Sequence, residues 1–319
     1  MVAYKVLIPQ DISEEGKQYL LEKGYEIKMG SGWTVEEIKK DVVDCDAILA
    51  RTAPFPAEVL NAGKKLKVIS RHGVGVDNID IKKAIELGIY VTNAPESNSN
   101  TVAELALGFI IALARNLITS DQAARRGDYE FRNRQIGMDL EGKVLGVLGI
   151  GKIGKKLAQK AYHGLSMKVI GFDPFVDKKD FPAEIIKVED KDKLFSEADF
   201  VSIHIPSTSD TKKSVGIREF KLMKPTAFFL NLARGDLVIE KDLVQALQEK
   251  IIRGAAIDVF DPEPPPHNHP LFGLDNIIMT PHNAALTKEC IIRMSLHAAQ
   301  GIHEVLSGEN PTWPVNKPK

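Results

Sequence analysis

The chain has 319 residues, enough for two domains, and its composition is that of an ordinary globular protein. Its 42 Lys and Arg residues balance 43 Asp and Glu residues, so the charge predicts no binding to nucleic acid or to a membrane surface. Cys45 and Cys290 lie far apart and form no Cys or His cluster. This pattern predicts neither a disulfide framework nor a metal site and favours a reducing cytoplasm.

Short apolar runs alternate with helical patterns through the first hundred residues, as in a doubly wound α/β unit. The N-terminal segment indicates a strand rather than a signal peptide. The predicted strands cover 6–8, 47–49, 68–70 and 89–91, and the predicted helices cover 14–23, 34–40, 57–62 and 81–87.

Arg51 and Arg71 each follow one of these strands, and a glycine turn that contains Val74 and Gly75 comes directly after Arg71. Successive backbone N–H groups in such a turn can bind an anion. Two arginines beside the turn suggest an anionic substrate. The alternative is that each is an ordinary surface arginine.

A long helix is predicted over 100–116, and its apolar part, 105–114, is too short to span a bilayer. We therefore expect a buried helix. The charged stretch that follows, 121–134, has little apolar periodicity. It is either a linker or an arm that packs on a partner subunit.

A glycine-rich turn with Gly149, Gly151 and Gly154 lies between an apolar run and a helical segment, 152–162. A second apolar run ends on Asp173, about twenty residues later, which is the pattern of a dinucleotide site. The first glycine permits the tight turn, the second lets the backbone approach a pyrophosphate, and the third lets the helix pack on the strand. The helix N-terminus then directs N–H groups at the phosphates.

Asp173 favours NAD over NADP, because a carboxylate there accepts hydrogen bonds from both ribose hydroxyls and repels a 2′-phosphate. The next residues are Pro174, Phe175 and Val176, and no arginine lies nearby. The alternative is that Asp173 only caps the end of a strand.

The second series of predicted strands covers 144–148, 169–172, 200–205, 227–232, 254–259 and 276–280, with a helix at 241–250. Ligands of open α/β sheets bind outside the carboxyl ends of the strands. The residues at these ends are therefore candidates for chemistry, and they include His204, Arg234, Asp258, Glu263 and His282.

Arg234 suits bidentate capture of a carboxylate, and the alternative is a surface ion pair. His282 is a proton carrier near neutral pH, and Glu263 is expected at the same edge of the sheet. A carboxylate on one ring nitrogen fixes the tautomer and favours the protonated ring. Glu263 could instead be a solvated acid in a proline-rich loop, and Asp258 could contact the nicotinamide amide or cap the next turn.

The last predicted helix, 288–306, returns to the first domain. The predicted fold is therefore α/β with two doubly wound parallel-sheet domains, a Rossmann-type NAD domain inserted into a flavodoxin-like substrate domain. The predicted boundaries are 1–99 with 287–319 for the substrate domain and 100–286 for the NAD domain.

Seven segments, in this order and spacing, resemble the D-isomer-specific 2-hydroxyacid dehydrogenase family over nearly the whole chain. They lie at 71–80, 100–104, 142–154, 201–206, 231–235, 258–263 and 280–282. The resemblance implies that His282 exchanges the hydroxyl proton, that Glu263 orients it, and that Arg234 holds the substrate carboxylate. It also places the backbone of Val74 and Gly75 on that carboxylate.

The resemblance further implies a homodimer formed through the NAD domains, closure of a cleft by a hinge, and contacts to NAD from the glycine turn and the strand ends. The predicted cofactor residues are Gly149, Gly151, Lys152, Ile153, Gly154, Asp173, His204, Ile205, Pro206, Ala233, Asp258, His282 and Ala284.

Within the family, the segment 73–80 is most similar to the phosphoglycerate dehydrogenase branch. In that branch, residues resembling Arg51, Arg71 and either Arg132 or Arg134 approach the substrate phosphate. After His282 this chain reads Asn-Ala-Ala-Leu-Thr, where the branch usually has Leu-Gly-Ala-Ser-Thr. No regulatory extension follows residue 319, so serine feedback through such a domain is not expected.

Two alternatives accompany this prediction. The first is reduction of hydroxypyruvate or glyoxylate, which leaves the reaction class unchanged. The second is an NAD-sensing protein without catalysis, such as a transcriptional corepressor. The Arg234, Glu263 and His282 set and the lack of basic extensions favour an enzyme.

Overall fold

In the computed structural model, which describes residues 4–318, the chain forms two compact units. Unit 1 contains the residues up to Asn98 and those from Ala285 onward, and unit 2 contains Ser99–Ala284. These limits lie within two residues of the domain boundaries predicted from the sequence.

Over the described residues, strands and helices alternate along the chain. The strands are β1 (Lys5–Ile8), β2 (Glu26–Met29), β3 (Ala47–Ala50), β4 (Val68–Arg71), β5 (Tyr90–Thr92), β6 (Val144–Leu148), β7 (Lys168–Phe172), β8 (Ile185–Lys187), β9 (Phe200–Ile203), β10 (Phe228–Asn231), β11 (Gly254–Ile257) and β12 (Ile277–Met279). The α-helices are α1 (Glu14–Glu22), α2 (Val35–Asp41), α3 (Ala57–Ala62), α4 (Ile81–Glu86), α5 (Ser99–Ala114), α6 (Leu117–Arg125), α7 (Phe131–Arg134), α8 (Lys152–Leu165), α9 (Lys191–Glu197), α10 (Ile217–Leu222), α11 (Glu240–Gln248) and α12 (Lys288–Ser307). Short 3₁₀ helices lie at Val42–Asp44, Lys178–Asp180, Gly235–Leu237 and Pro270–Gly273.

Unit 1 is built on a five-stranded parallel sheet in the order β2-β1-β3-β4-β5, which is the flavodoxin-like order. Helix α12, although last in the chain, contributes Ala298, Ala299 and Ile302 to one core cluster with Val6 and Leu49. The segment after α12 covers the edge of the sheet at β5. There the Asn316 side chain accepts from the Val91 N–H at 2.7 Å and donates to the Ile89 carbonyl at 2.9 Å.

Unit 2 is built on a seven-stranded parallel sheet in the order β12-β11-β10-β9-β6-β7-β8. The order of its strands reverses next to β6, as in the Rossmann fold, so the switch point lies at the carboxyl end of β6. Because all strands are parallel, the residues that follow β6, β7, β9, β10, β11 and β12 gather at one edge of this sheet. The predicted α/β fold class with two doubly wound parallel sheets is confirmed.

Two strands were absent from the sequence-based prediction. β2 and β8 lie at the outer edges of their sheets, and Ile185 is the one buried residue in these two strands. An edge strand of this kind lacks the continuous apolar run that identifies a central parallel strand.

The helix predicted over 100–116 ends at Ala114, because Asn116 has a left-handed backbone with φ of 51°. The stretch 121–134, for which the sequence left a linker or an arm as alternatives, contains the end of α6 and all of α7. Helix α5 buries Val102, Ala106 and Ile110, as expected.

Among the described residues, no single helix has the length and apolar character needed to cross a membrane. The bent pair α5 and α6, with 59° between its helices, meets that requirement in length and composition only when the two are counted together.

Candidate functional site

The glycine turn connects β6 to α8 and brings three backbone segments into close contact. Gly149 has φ of 97°, and a Cβ atom there would lie 2.8 Å from the carbonyl carbon and oxygen of His204. A Cβ atom on Gly154 would lie 2.1 Å from the Gly149 oxygen, so the helix packs directly on the turn. A Cβ atom on Gly151 would meet no protein atom within 4 Å. The turn is therefore open where the pyrophosphate of a dinucleotide is expected.

Asp173 lies beside this turn and stabilises it. Its carboxylate accepts hydrogen bonds from the Ile150 N–H and from the Phe175 N–H, each at 2.9 Å. The cap at the strand end, which the sequence left as an alternative, is thus present. Each carboxylate oxygen keeps a further lone pair, so a contact to ribose stays a prediction.

His204 follows β9 and carries a buried polar atom next to the turn. Its Nε2 lies 2.9 Å from the Ser202 hydroxyl, and its buried Nδ1 has no hydrogen-bond partner among residues 4–318. Burial lowers the pKa of His204 to about 4, so the ring is neutral at neutral pH. An open glycine turn at the start of a 14-residue helix, next to this unpaired ring nitrogen, fits a dinucleotide.

Arg234 is the third residue after β10, in a loop held by Asn231 at the end of that strand. The Asn231 amide donates to the Arg234 carbonyl at 2.8 Å and accepts from the Ala233 N–H at 3.0 Å. Gly235 then passes very close to the loop after β11, because a Cβ atom there would lie 2.0 Å from the Phe260 oxygen. The loops that carry Arg234 and Glu263 therefore touch through their backbones.

Glu263 and His282 are in direct contact at the edge of the sheet where the sequence placed both. His282 Nδ1 lies 2.6 Å from Glu263 Oε2, and Glu263 Oε1 accepts from the Phe260 N–H at 2.9 Å. Burial opposes ionisation of this carboxyl. The hydrogen bonds from His282 and Phe260 and the charge of Arg234 outweigh that effect and hold the pKa of Glu263 below its ordinary value. The influence of Arg234 on this carboxylate places the three residues in one electrostatic group.

Asp258 fixes the loop that carries His282. Its side chain is buried and accepts from the Thr280 hydroxyl at 2.6 Å, the Asn283 N–H at 2.9 Å and the Ala284 N–H at 3.0 Å. Asp258 thus holds the turn after β12, rather than the turn after its own strand that the sequence left as an alternative. His282 itself has φ of 50°, and non-glycine residues held in this region cluster at functional sites.

In unit 1, Arg51 and Arg71 lie at the carboxyl ends of the neighbouring strands β3 and β4. Arg51 donates to the Asp11 carbonyl at 2.5 Å, and the Arg71 guanidinium donates to the His72 carbonyl. Burial and the charges of both arginines lower the pKa of His72 to about 3. The two guanidinium groups thus create a positive potential at one edge of the sheet.

The backbone N–H groups of Val74 and Gly75 make no hydrogen bond within residues 4–318, so the turn after β4 has N–H groups to offer an anion. Arg132 and Arg134 lie in unit 2, on α7. Arg134 pairs with Asp128, and the guanidinium of Arg132 lies 5.7 Å from the centre of the Tyr129 ring.

The sequence analysis assigned no role to Phe260 or to Gly235, although they lie in the segments 258–263 and 231–235 that it singled out. Each acts through its backbone rather than its side chain, so side-chain chemistry gave no signal. Their position could have identified them, because each lies in the loop that follows a strand of the sheet and is next to a charged residue, Arg234 or Asp261.

Comparison with known proteins agrees with this arrangement. Residues 107–284 match the family described as D-isomer specific 2-hydroxyacid dehydrogenase, NAD binding domain. This region contains every predicted cofactor residue, and the match confirms the prediction of an NAD-binding domain.

The chain is 41% identical over 318 residues to a D-3-phosphoglycerate dehydrogenase of Methanocaldococcus jannaschii. The alignment covers 98% of this chain and 60% of that protein, so the chain spans about three-fifths of its relative's length. A glyoxylate reductase of Korarchaeum cryptofilum is 35% identical over 98% of this chain and 96% of its own length.

Among solved structures, the TT0316 protein from Thermus thermophilus is 33% identical and superposes with a TM-score of 0.89, covering 98% of this chain and 100% of its own. The family match covers most of unit 2, and the relatives extend over both units of the structure. The chain therefore belongs to the D-isomer-specific 2-hydroxyacid dehydrogenase family.

Proposed function

We propose that this chain is an NAD-dependent oxidoreductase that transfers a hydride between C2 of a D-2-hydroxy acid and NAD. The observation that carries the proposal is the 2.6 Å contact between His282 Nδ1 and Glu263 Oε2, with the charge of Arg234 acting on the same carboxylate. Bound NAD would supply the nicotinamide that takes up or returns the hydride. The protein supplies the proton, binds the carboxylate of the substrate and orients the substrate.

The ionisation of Glu263 determines which nitrogen of His282 exchanges a proton with the substrate. Because its pKa is held below the ordinary value, Glu263 is an anion at neutral pH and can only accept a hydrogen bond. Nδ1 of His282 therefore carries a hydrogen, and Nε2 is the atom that takes the hydroxyl proton or gives it back. When Nε2 becomes protonated, the carboxylate at 2.6 Å stabilises the cation that results.

Arg234 is the proposed ligand of the substrate carboxylate. A guanidinium forms two parallel hydrogen bonds to a planar carboxylate, which fixes the substrate in one orientation. Its positive charge also stabilises negative charge that develops on the C2 oxygen during reduction. The backbone N–H groups of Val74 and Gly75 are proposed as further carboxylate donors.

For the cofactor we propose that the glycine turn and Lys152 and Ile153 at the start of α8 contact the pyrophosphate. Asp173 would accept from ribose hydroxyls, and the unpaired Nδ1 of His204 would contact the dinucleotide. The remaining proposed contacts come from strand ends: Ile205, Pro206, Ala233, Asp258 and Ala284.

D-3-phosphoglycerate and 3-phosphohydroxypyruvate, the acids of serine biosynthesis, are the proposed substrate pair. This choice is supported by the positive potential of Arg51 and Arg71 and by the phosphoglycerate dehydrogenase among the relatives. Hydroxypyruvate or glyoxylate reduction is the second candidate, because a glyoxylate reductase of nearly equal length is also 35% identical.

A panel of 2-oxo acids tests both the reaction and the substrate. We expect oxidation of NADH with 3-phosphohydroxypyruvate to be faster, at low substrate concentration, than with hydroxypyruvate, glyoxylate or pyruvate. Arg71→Ala and Arg51→Ala should each raise the KM for 3-phosphohydroxypyruvate about 30-fold, equivalent to ~2 kcal/mol for a lost charge-assisted hydrogen bond. Steady-state rates from NADH absorbance provide the measurement.

Hydroxypyruvate is the internal control, because it differs from 3-phosphohydroxypyruvate only in lacking the phosphate. Both arginine variants should keep the wild-type KM for hydroxypyruvate. If the unphosphorylated acids are preferred and neither variant changes any KM, the arginines hold no phosphate and the chain is a general 2-hydroxyacid reductase.

We further propose that the enzyme is a homodimer formed through unit 2. The segment between α5 and β6 exposes large apolar side chains, which the monomer leaves in contact with water: Leu117, Ile118, Tyr129 and Ile136. Tyr129 and Ile136 are each 75% exposed. Large exposed apolar side chains concentrated in one segment are the expected sign of an interaction surface.

Sedimentation at micromolar concentration tests this interface. Ile136→Glu should shift the protein from dimer to monomer, because it places an unpaired charge in an apolar contact. Val43→Glu, a similarly exposed position in unit 1, is the matched control and should stay dimeric. A wild-type protein that sediments as a monomer would contradict the proposal.

A further inference from the structure

A buried histidine, His269, and a partly buried glutamate, Glu240, join α11 to the loop that carries Glu263. His269 Nε2 lies 3.2 Å from Glu240 Oε2, and the two side chains are 7% and 20% exposed. His269 Nδ1 accepts the Leu271 N–H at 3.3 Å, so the neutral ring has its hydrogen on Nε2 and donates it to Glu240. Burial, with a smaller effect from Asp261, raises the pKa of Glu240 although His269 lies beside it.

The His269 ring packs on Phe260. Their ring centres are 5.8 Å apart with 80° between the planes, and Phe272 completes the cluster at 5.4 Å from His269 and 6.2 Å from Phe260. Edge-to-face contacts of this kind prefer one relative orientation of the rings. The orientation of Phe260 is thus set by a histidine that is itself held at both nitrogens.

Phe260 in turn contacts both loops of the proposed active site through its backbone. Its N–H holds Glu263 Oε1 at 2.9 Å, and its carbonyl oxygen lies against Gly235, the neighbour of Arg234. A displacement of Phe260 therefore moves Glu263 away from His282 and changes the position of the Arg234 loop.

The loop between Phe260 and His269 is exposed along most of its length and is held by buried residues at its two ends. Its residues 261–264 and 266–268 are exposed, whereas Phe260 and His269 at its two ends are buried. The contact between these two rings closes the loop. The position of Glu263 therefore depends on the contact between the Phe260 and His269 rings as well as on its hydrogen bond to His282.

We propose that His269, held by Glu240, is a positioning residue that fixes the Glu263–His282 pair through Phe260. This inference rests on the proposed dehydrogenase function. His269 touches neither Glu263 nor His282 and transfers no proton to the substrate. Its contribution is to keep the carboxylate at hydrogen-bond distance from the imidazole, where an error of about 1 Å is costly to catalysis.

The test compares His269→Leu and Glu240→Gln with wild type. His269→Leu keeps an apolar side chain against Phe260 but loses both polar contacts, and Glu240→Gln weakens the pair while keeping its shape. For the 2-oxo acid that the wild type reduces best, kcat should fall about tenfold in His269→Leu, with the Kd for NADH unchanged.

A surface pair of the same chemistry is the matched control. His163 and Glu184 lie 3.1 Å apart in unit 2, and His163 is 64% exposed. His163→Leu and Glu184→Gln should leave kcat and the Kd for NADH unchanged. His269→Leu added to His282→Ala should lower the residual rate no further, since the pair it positions is already lost.

The NMR signal of the hydrogen on His282 Nδ1 gives a readout that needs no turnover, because this hydrogen is donated to Glu263 Oε2 at 2.6 Å. The signal should move to higher field in His269→Leu and in Glu240→Gln than in wild type, because the hydrogen bond to Glu263 lengthens. A lower Tm with unchanged kcat and an unchanged Nδ1 signal would show that His269 serves stability alone and would overturn the proposal. A wild type that reduces no 2-oxo acid would contradict the proposed function instead, while the Nδ1 signal would still test the positioning.

Discussion

His282→Ala should lower kcat for 2-oxo acid reduction by about 10³- to 10⁴-fold while NADH binding persists. The variant removes Nε2, the atom proposed to carry the proton, and leaves Glu263 without its partner at 2.6 Å. The glycine turn and Asp173 are unchanged, so the Kd for NADH should rise by no more than about threefold. Stopped-flow or steady-state absorbance measures the rate, and quenching of protein fluorescence measures the binding.

His163→Ala is the matched control, because this exposed histidine also pairs with a glutamate and should leave both quantities unchanged. A His282→Ala variant with more than a tenth of the wild-type kcat would remove His282 from the mechanism. A wild-type protein that binds NADH but reduces no acid of the panel would instead support the NAD-sensing alternative.

Gly235→Ala should damage both stability and catalysis. Its Cβ atom would lie 2.0 Å from the oxygen and 2.2 Å from the carbon of Phe260, and neither backbone atom can yield without moving the loop. We expect a loss of about 2–3 kcal/mol in the free energy of unfolding, typical of overpacking. We also expect a kcat about 10²-fold lower, because the loops of Arg234 and Glu263 are forced apart.

Gly164→Ala is the control for the same chemical change. Gly164 lies inside α8, and a Cβ atom there would meet no protein atom within 4 Å. Alanine should stabilise that helix by about 0.5–1 kcal/mol and leave kcat unchanged. Denaturant unfolding measures both variants, and a Gly235→Ala protein as stable and active as wild type would show that the two loops are free to separate.

The dinucleotide turn and the central strands could be predicted from the sequence because their signals are local. Gly149, Gly151, Gly154 and Asp173 lie within one strand–helix–strand unit, and central parallel strands are continuous apolar runs. The grouping of Arg234, Glu263 and His282 followed from topology, since parallel strands end at one edge.

The supports of the site could not be predicted, because they depend on contacts between segments distant in sequence. The hydrogen bonds from the loop of Thr280 to Asp258, and the closeness of Gly235 to Phe260, exist only once β10, β11 and β12 are paired. The His269–Glu240 pair likewise joins residues that no local pattern connects. Edge strands β2 and β8 were missed because half-exposed strands have weak sequence signals.

The contribution of α12 to the sheet of unit 1 has a consequence for biosynthesis. Ala298, Ala299 and Ile302 complete a core whose other members, such as Val6 and Leu49, leave the ribosome much earlier. During synthesis, the apolar face of the unit 1 sheet that α12 covers therefore stays uncovered until all of Ser99–Ala284 has been translated. Unit 2 is continuous in sequence and can fold as soon as it leaves the ribosome. We therefore expect unit 2 to complete its folding before unit 1, although unit 1 is the first to be synthesised.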